Sequence, residues 1–156
     1  MMIDIYDAVP DDIPDIHKLI QQVLPKNQGR VLNRLYSEVA LQQKLESENT
    51  HLIIAVVDDV IIGVCQYGIP IMDDCDCEDL RAIHALFVAS DNNHDDVASA
   101  LIYDVEESIN TQAGVQRLSV FVDADNMPLI KFYAGLGFYH DQVEDSDNEW
   151  YMEKDL

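Results

Sequence analysis

Residues 84–107, HALFVASDNNHDDVASALIYDVEE, bring chemically capable groups to one junction. An apolar run, Ala85 to Val88, gives way to Ser90 and then to the polar residues Asp91 to Asp96. Val97, Leu101 and Val105 then recur at helical spacing. The pattern is a strand, a loop and a helix start. Such a junction holds phosphates when glycines let backbone N–H groups approach them at the positive end of the helix. This loop has no glycine and carries aspartates instead. His84, on the strand, has a side chain that titrates at about pH 6.5 when free, which suits general-base work. A strand histidine with a satisfied hydrogen bond is the plainer alternative.

The elements around this junction follow from periodicity. IDIYDA alternates as a strand, and Ile13, Ile16, Leu19, Ile20 and Val23 mark one face of a first helix. VLNRLYSEVALQQKLES reads as a second helix through Leu32, Leu35, Val39 and Leu45. HLIIAVV, DD and VIIGVCQYGIPI form a central hairpin, and RAIHALFVA a further strand. The helix over 96–112 is expected to close on Gly114 as its C-cap. QRLSVFVDA is a strand; NMPLIKFYAGLGF is a helix capped by Asn126 and closed by Gly137. A last hairpin turns between Asp145 and Glu149. The order β-α-α-β-β-β-α-β-α-β-β describes a mixed α/β (α+β) single domain over residues 1–156.

The chain has 30 acidic and 9 basic residues, a formal net charge of -21. That charge opposes nucleic acid and anionic membranes, and no apolar run approaches a membrane span. Composition therefore points to a soluble, cytoplasmic protein. Self-repulsion of this size strains a folded state unless salt screens it, and at about 1 M the Debye length falls to roughly 3 Å. Acids dispersed along the whole chain suit a salt-rich, halophilic cytoplasm better than a basic partner. Cys65, Cys75 and Cys77 are too few for a disulfide framework, and DDCDCEDL at 73–80 lacks a second Cys/His pair at zinc spacing. It reads as an acidic loop, and no metal is expected.

The element order and its residues resemble the GNAT superfamily of acetyl-CoA-dependent N-acetyltransferases. The most specific likeness is Asn126, the Phe132–Tyr133 pair and Gly137–Phe138; IDIYDAVPDDIPDIHKLI, LIIAVVDDVIIGVCQY and WYMEKDL are similar to the family's opening, hairpin and last strand. The resemblance implies a largely antiparallel central sheet, splayed between strands 4 and 5 and flanked by about four helices. It implies acetyl-CoA as co-substrate and a small-molecule or peptide amine as acceptor. The pantetheine arm would pair with strand-four backbone near Leu86, Phe87 and Val88. The pyrophosphate loop would place Asn93 at the family's Arg/Gln position, with His94, Asp96 and Ala98 at positions usually held by small residues and Val97 between them. Only Ala98 stays small. Tyr133 falls at the general-acid position, and also reads as a buried core aromatic. His84 lies where relatives carry a base, and Asn126 at a cofactor-contacting asparagine that an N-cap explains equally well.

His94 and Asp96 add bulk to the cradle. A carboxylate about 5 Å from a phosphate charge costs roughly 0.8 kcal/mol in water and about 3 kcal/mol at an effective dielectric of 20. Two readings stay open: an acetyltransferase acting on a primary amine, or a GNAT-fold binding or regulatory protein that has lost acetyl-CoA and pairs as a homodimer through its C-terminal strands. The first two helices and the last hairpin would build the substrate pocket, with acids such as Glu38 or Glu144 drawing an amine cation.

Overall fold

The computed structural model describes residues 2–24, 34–70, 78–90 and 94–156. Among them, seven strands are hydrogen-bonded in the order β1-β2-β3-β4-β5-β7-β6, numbered along the chain. β4 (Leu80–Val88) and β5 (Arg117–Asp123) pair in parallel, in a sheet that is otherwise largely antiparallel. The expected order of strands and helices is observed. Residue contacts divide the chain into two compact units, Met1–Gln66 with Ala85–Asp104, and Tyr67–His84 with Val105–Leu156.

In the first unit, β1 (Asp4–Asp7) runs antiparallel to β2 (Thr50–Val57), with Asp4 opposite Val56 and Asp7 opposite Ile53. β2 turns into β3 (Val60–Gly68) through Asp58 and Asp59, at φ 50° and 64°. Aspartate tolerates this left-handed conformation, and two such residues match the twist of a tight hairpin. Helix α1 (Ile13–Val23) buries Ile13, Ile16, Leu19 and Ile20, the face its periodicity predicts. Just before it, the Asp12 carboxylate accepts from the Val9 amide at 2.9 Å.

Helix α2 (Glu38–Glu46) departs from expectation. It starts where the Ser37 hydroxyl accepts from the Ala40 amide at 3.1 Å, so Leu35 precedes it. Leu41 is its buried anchor, while Leu35 and Val39 are 50% and 69% exposed. Leu45 packs against the core as expected; Leu32 lies outside the described residues. Leu41 joins the α1 residues, Leu52, Ile54 and Val64 in one cluster on the even-numbered face of the hairpin. The odd face carries the start of α3 (His94–Asn110). There Gly63 makes room: a Cβ at that position would lie 3.0 Å from both Val97 Cγ1 and Leu101 Cδ1.

In the second unit, β5 runs antiparallel to β7 (Glu149–Asp155) from Arg117–Asp155 to Asp123–Glu149. β6 (Tyr139–His140) adds at the edge of β7. Helix α4 (Met127–Gly135) is capped by Asn126, whose side-chain oxygen accepts from the Leu129 amide at 3.2 Å. It ends in a Schellman motif: the Gly137 amide donates to Ala134 O and the Phe138 amide to Tyr133 O, both at 3.1 Å, with Gly137 at φ 101°. Gly114 is not the cap expected of it. α3 stops at Asn110, and Gly114, at φ 82°, serves the turn into β5.

The β6–β7 connection is clasped by His140. Its Nε2 lies 2.8 and 3.0 Å from the two Asp145 oxygens, and its ring stacks on Trp150 at 3.8 Å and 4°. The Tyr151 amide donates to Asp145 at 2.7 Å. Burial raises the Asp145 carboxyl's pKa, but the Tyr151 amide and then His140 outweigh it and hold it below the ordinary range.

Two outcomes follow from this packing. Gly63→Ala should lower stability by about 1–3 kcal/mol through overpacking against α3, read as a lower urea midpoint at unchanged slope. For Asp145, a depressed folded pKa means its contribution is full above the ordinary carboxylate value of about 3.9 and is lost as pH falls through the folded value. Asp145→Asn should therefore be less stable than the parent at pH 7, with the gap closing below about pH 4. Unfolding followed by Trp150 fluorescence at both pH values checks this; a gap that widens in acid contradicts it.

Candidate active site

In the first unit the site is built on the far end of β4. Register pairing with β5 runs from Leu80–Arg117 to Ile83–Val120, whereas β4 continues to Val88. Along that stretch Leu86 and Phe87 are partly buried and Val88 is buried. The Phe87 ring meets Tyr36 edge-on, at 5.1 Å and 80°. The Ala89 amide donates to Ile62 O at 2.8 Å, so the strand stays tied to β3.

α3 begins at His94, whose Nδ1 lies 3.4 Å from Asp95 Oδ1. These side chains are 45% and 84% exposed, and Asp96 is exposed as well. Val97 and Ala98 are buried, so they face the core and can offer a ligand only their backbone. Asn93 lies outside the described residues. The helix runs 17 residues, long enough for its N-terminus to favour an anion. Leu86, Phe87 and Val88 thus share one unit with His94, Asp96, Val97 and Ala98.

Tyr133, His84 and Asn126 fall in the second unit. Tyr133 is 1% exposed, with Phe132 and Phe138 edge-on at 5.3 and 5.2 Å. His84 Nε2 lies 2.9 Å from the Ile69 carbonyl, which can only accept, so Nε2 carries a hydrogen. Asn126 spends its side-chain oxygen on the helix cap, leaving its amide NH₂ as the group that can turn to a ligand.

One feature escaped the sequence reading. Tyr36, Leu41, Leu52, Val64, Gln66 and Phe87 wall a small cavity between α1, α2 and strands β2–β4. Burial pushes the Tyr36 hydroxyl's pKa up, so it stays neutral. Lys44 Nζ sits 5.1 Å from the Tyr36 ring centroid and donates to Leu35 O at 2.8 Å. Tyr36 fell between Leu35 and Val39 in the helical pattern, and only the late start of α2 turns it inward. Glu38 lines a separate exposed groove with Pro10 and Pro14, and Glu144 lies in an exposed 3₁₀ turn.

Among the described residues, no group of three or more His, Cys, Asp or Glu could hold a metal ion. No described helix is long and apolar enough to cross a membrane. Cys65 is fully buried, and burial, then Asp104, push its thiol pKa far up, which leaves it unreactive. Cys75 and Cys77 lie outside the described residues.

Solved structures of the same architecture exist. The PaiA N-acetyltransferase of Thermoplasma acidophilum, in complex with coenzyme A, superposes with a TM-score of 0.85 at 15% identity, covering 100% of both chains. A ribosomal-protein-alanine N-acetyltransferase of Brucella melitensis gives 0.78 at 19% identity, over 98% of this chain and 99% of that one. An aminoglycoside 6'-acetyltransferase type Ii gives 0.75 at 16%, over 99% and 97%. At such identities the likeness speaks for the fold. No curated protein sequence matches the chain. Its residues 13–138 do match the Acetyltransferase (GNAT) family, and the chain belongs to that family.

Proposed function

We propose that the whole chain, 1–156, works as one catalytic domain that transfers an acetyl group from acetyl-CoA to a primary amine, in a salt-rich cytoplasm. The observation that carries this reading is the length of β4: it runs past its pairing with β5, from His84 to Val88, and leads straight into the start of α3. A strand that outruns its neighbour has backbone amides to offer, and on this reading the pantetheine arm takes them.

Bound acetyl-CoA supplies a thioester whose carbonyl carbon can be attacked. Leu86, Phe87 and Val88 would hold the pantetheine arm through their backbone. The α3 N-terminus would meet the pyrophosphate with backbone N–H groups of His94, Asp96, Val97 and Ala98, assisted by Asn93. The Asp95 and Asp96 side chains point to solvent, where salt screens them.

The amine must be neutral to attack, so its proton goes to a base. His84 is the candidate, through Nδ1, because Nε2–H faces the Ile69 carbonyl. The neutral nitrogen would bond to the carbonyl carbon and the C–S bond break with its pair on sulfur; Tyr133 would protonate the departing thiolate, and the proton that nitrogen sheds as the amide forms would restore the Tyr133 hydroxyl. A buried phenol between two aromatic rings is held still enough to do so, and Asn126 would steady the cofactor through its amide.

A second reading has its own support. Two carboxylates in the first turn of α3 favour that helix end without any ligand. On this reading the chain is a binding or regulatory protein, dimeric through its C-terminal strands. Calorimetric titration of acetyl-CoA in molar potassium chloride and in dilute buffer separates the two. Saturable binding in either buffer supports the enzyme; none in both leaves only the binding module. Tyr133→Phe should lower kcat by roughly 10²-fold while acetyl-CoA affinity changes little. Equal losses in binding and turnover would make Tyr133 a packing residue.

A further inference from the structure

β5 carries one large apolar side chain out to solvent. Leu118, Val120 and Val122 are buried on one face of the strand and Ser119 on the other, but Phe121 is 39% exposed. A single exposed phenylalanine is ordinary on a protein surface. Its place in the register is not. Side chains that sit side by side in a parallel pair point to the same face of the sheet. Ala82 lies beside Ser119 and Ile83 beside Val120. The next residue on each strand, His84 and Phe121, therefore share a face just past the last registered pair. His84 is the base in the acetyl-transfer reading, and it belongs to the same unit as Phe121.

The Phe121 ring is also backed. Tyr151 stands opposite it on β7 and meets it edge-on, with centroids 5.2 Å apart at 63°. Tyr151 is itself 2% exposed, and its hydroxyl donates to Glu153 at 3.0 Å, so the backing ring is anchored. One step further along that face Asp123 stands opposite Glu149, and both are exposed. In molar salt these carboxylates draw a cation only weakly, so what the ring offers a ligand is apolar contact. Neighbouring strands lie about 4.8 Å apart, which a two-carbon link between a nitrogen and an aryl ring can span. We infer that Phe121 is a specificity-determining residue for the acceptor, a primary amine whose aryl or comparably bulky apolar group lies on Phe121 while its nitrogen faces His84. This rests on the acetyl-CoA reading above, with His84 as base.

Phenethylamine and ethylamine are both primary alkylamines and differ by the phenyl ring. Turnover of each by the full chain is followed as thiol release at saturating acetyl-CoA in molar potassium chloride. The expected kcat/KM is at least about tenfold higher for phenethylamine, the size of one aromatic contact with its buried area. Phe121→Ala should bring the ratio to within about twofold of one, chiefly by raising KM for phenethylamine, and Phe121→Tyr should keep it. Loss of packing against Tyr151 alone would slow both amines alike and leave the ratio unchanged. Retained coenzyme A binding shows that a variant folds; Phe121→Thr, with a side chain suited to strands, replaces the alanine variant if that one does not. A parent ratio near one, a ratio that survives in the alanine or threonine variant, or turnover of neither amine overturns the inference, while coenzyme A binding leaves the acetyl-CoA reading standing. Failure to bind coenzyme A overturns both.

Discussion

Arg117 holds the strands of the second unit in register. Its guanidinium grips Asp79 with two bonds, 2.9 and 3.1 Å, and reaches Glu153 at 2.7 Å. Glu153 is 4% exposed, and a carboxylate that deep without a partner costs several kcal/mol, on the order of 3–5 when the pair is broken. Tyr151 donates to it at 3.0 Å and Tyr139 at 3.4 Å. The Arg117 hydrogen bond holds the Asp79 carboxyl below its ordinary range, while the two carboxylates raise the guanidinium's pKa further. Burial, and then the neighbouring Glu153, raise both tyrosine hydroxyls and keep them as donors. Because the partners come from the start of β4, the start of β5 and the end of β7, only one register satisfies them all.

That register sets where β4 is free of β5. With Arg117 opposite Leu80 and Asp155, the parallel pairing begins at the first residue of each strand and is finished by Ile83–Val120. The remainder of β4 is held from one side by β3. The ion cluster sits at the start of β4. A charge network that adds little net stability can still be retained for alignment. Here it fixes the alignment on which the open part of β4 depends.

Much of this was legible in the sequence because it rests on local rules. The α1 face, the two-aspartate turn, the Asn126 cap and the Gly137 stop each depend on residues within a few positions of one another. The misjudged features are those where distant packing chose between local options. Leu35 and Val39 have helical spacing, yet the Ser37 cap starts α2 after Leu35 and the core accepts Leu41. Gly114 has the right composition for a C-cap, but α3 ends early because the chain must turn into β5. Arg117, Asp79 and Glu153 are 36 or more residues apart, and nothing in their spacing announces a cluster. The Tyr36 cavity has five elements contributing to it and escaped for the same reason.

The placement of acids joins the fold to its chemistry. A net charge of -21 is tolerable on a surface that salt can screen, and Asp95, Asp96 and Glu38 are all exposed. Acids withdrawn from solvent are treated differently: buried Glu153 has its arginine, and half-buried Glu106 has Lys154 at 2.8 Å.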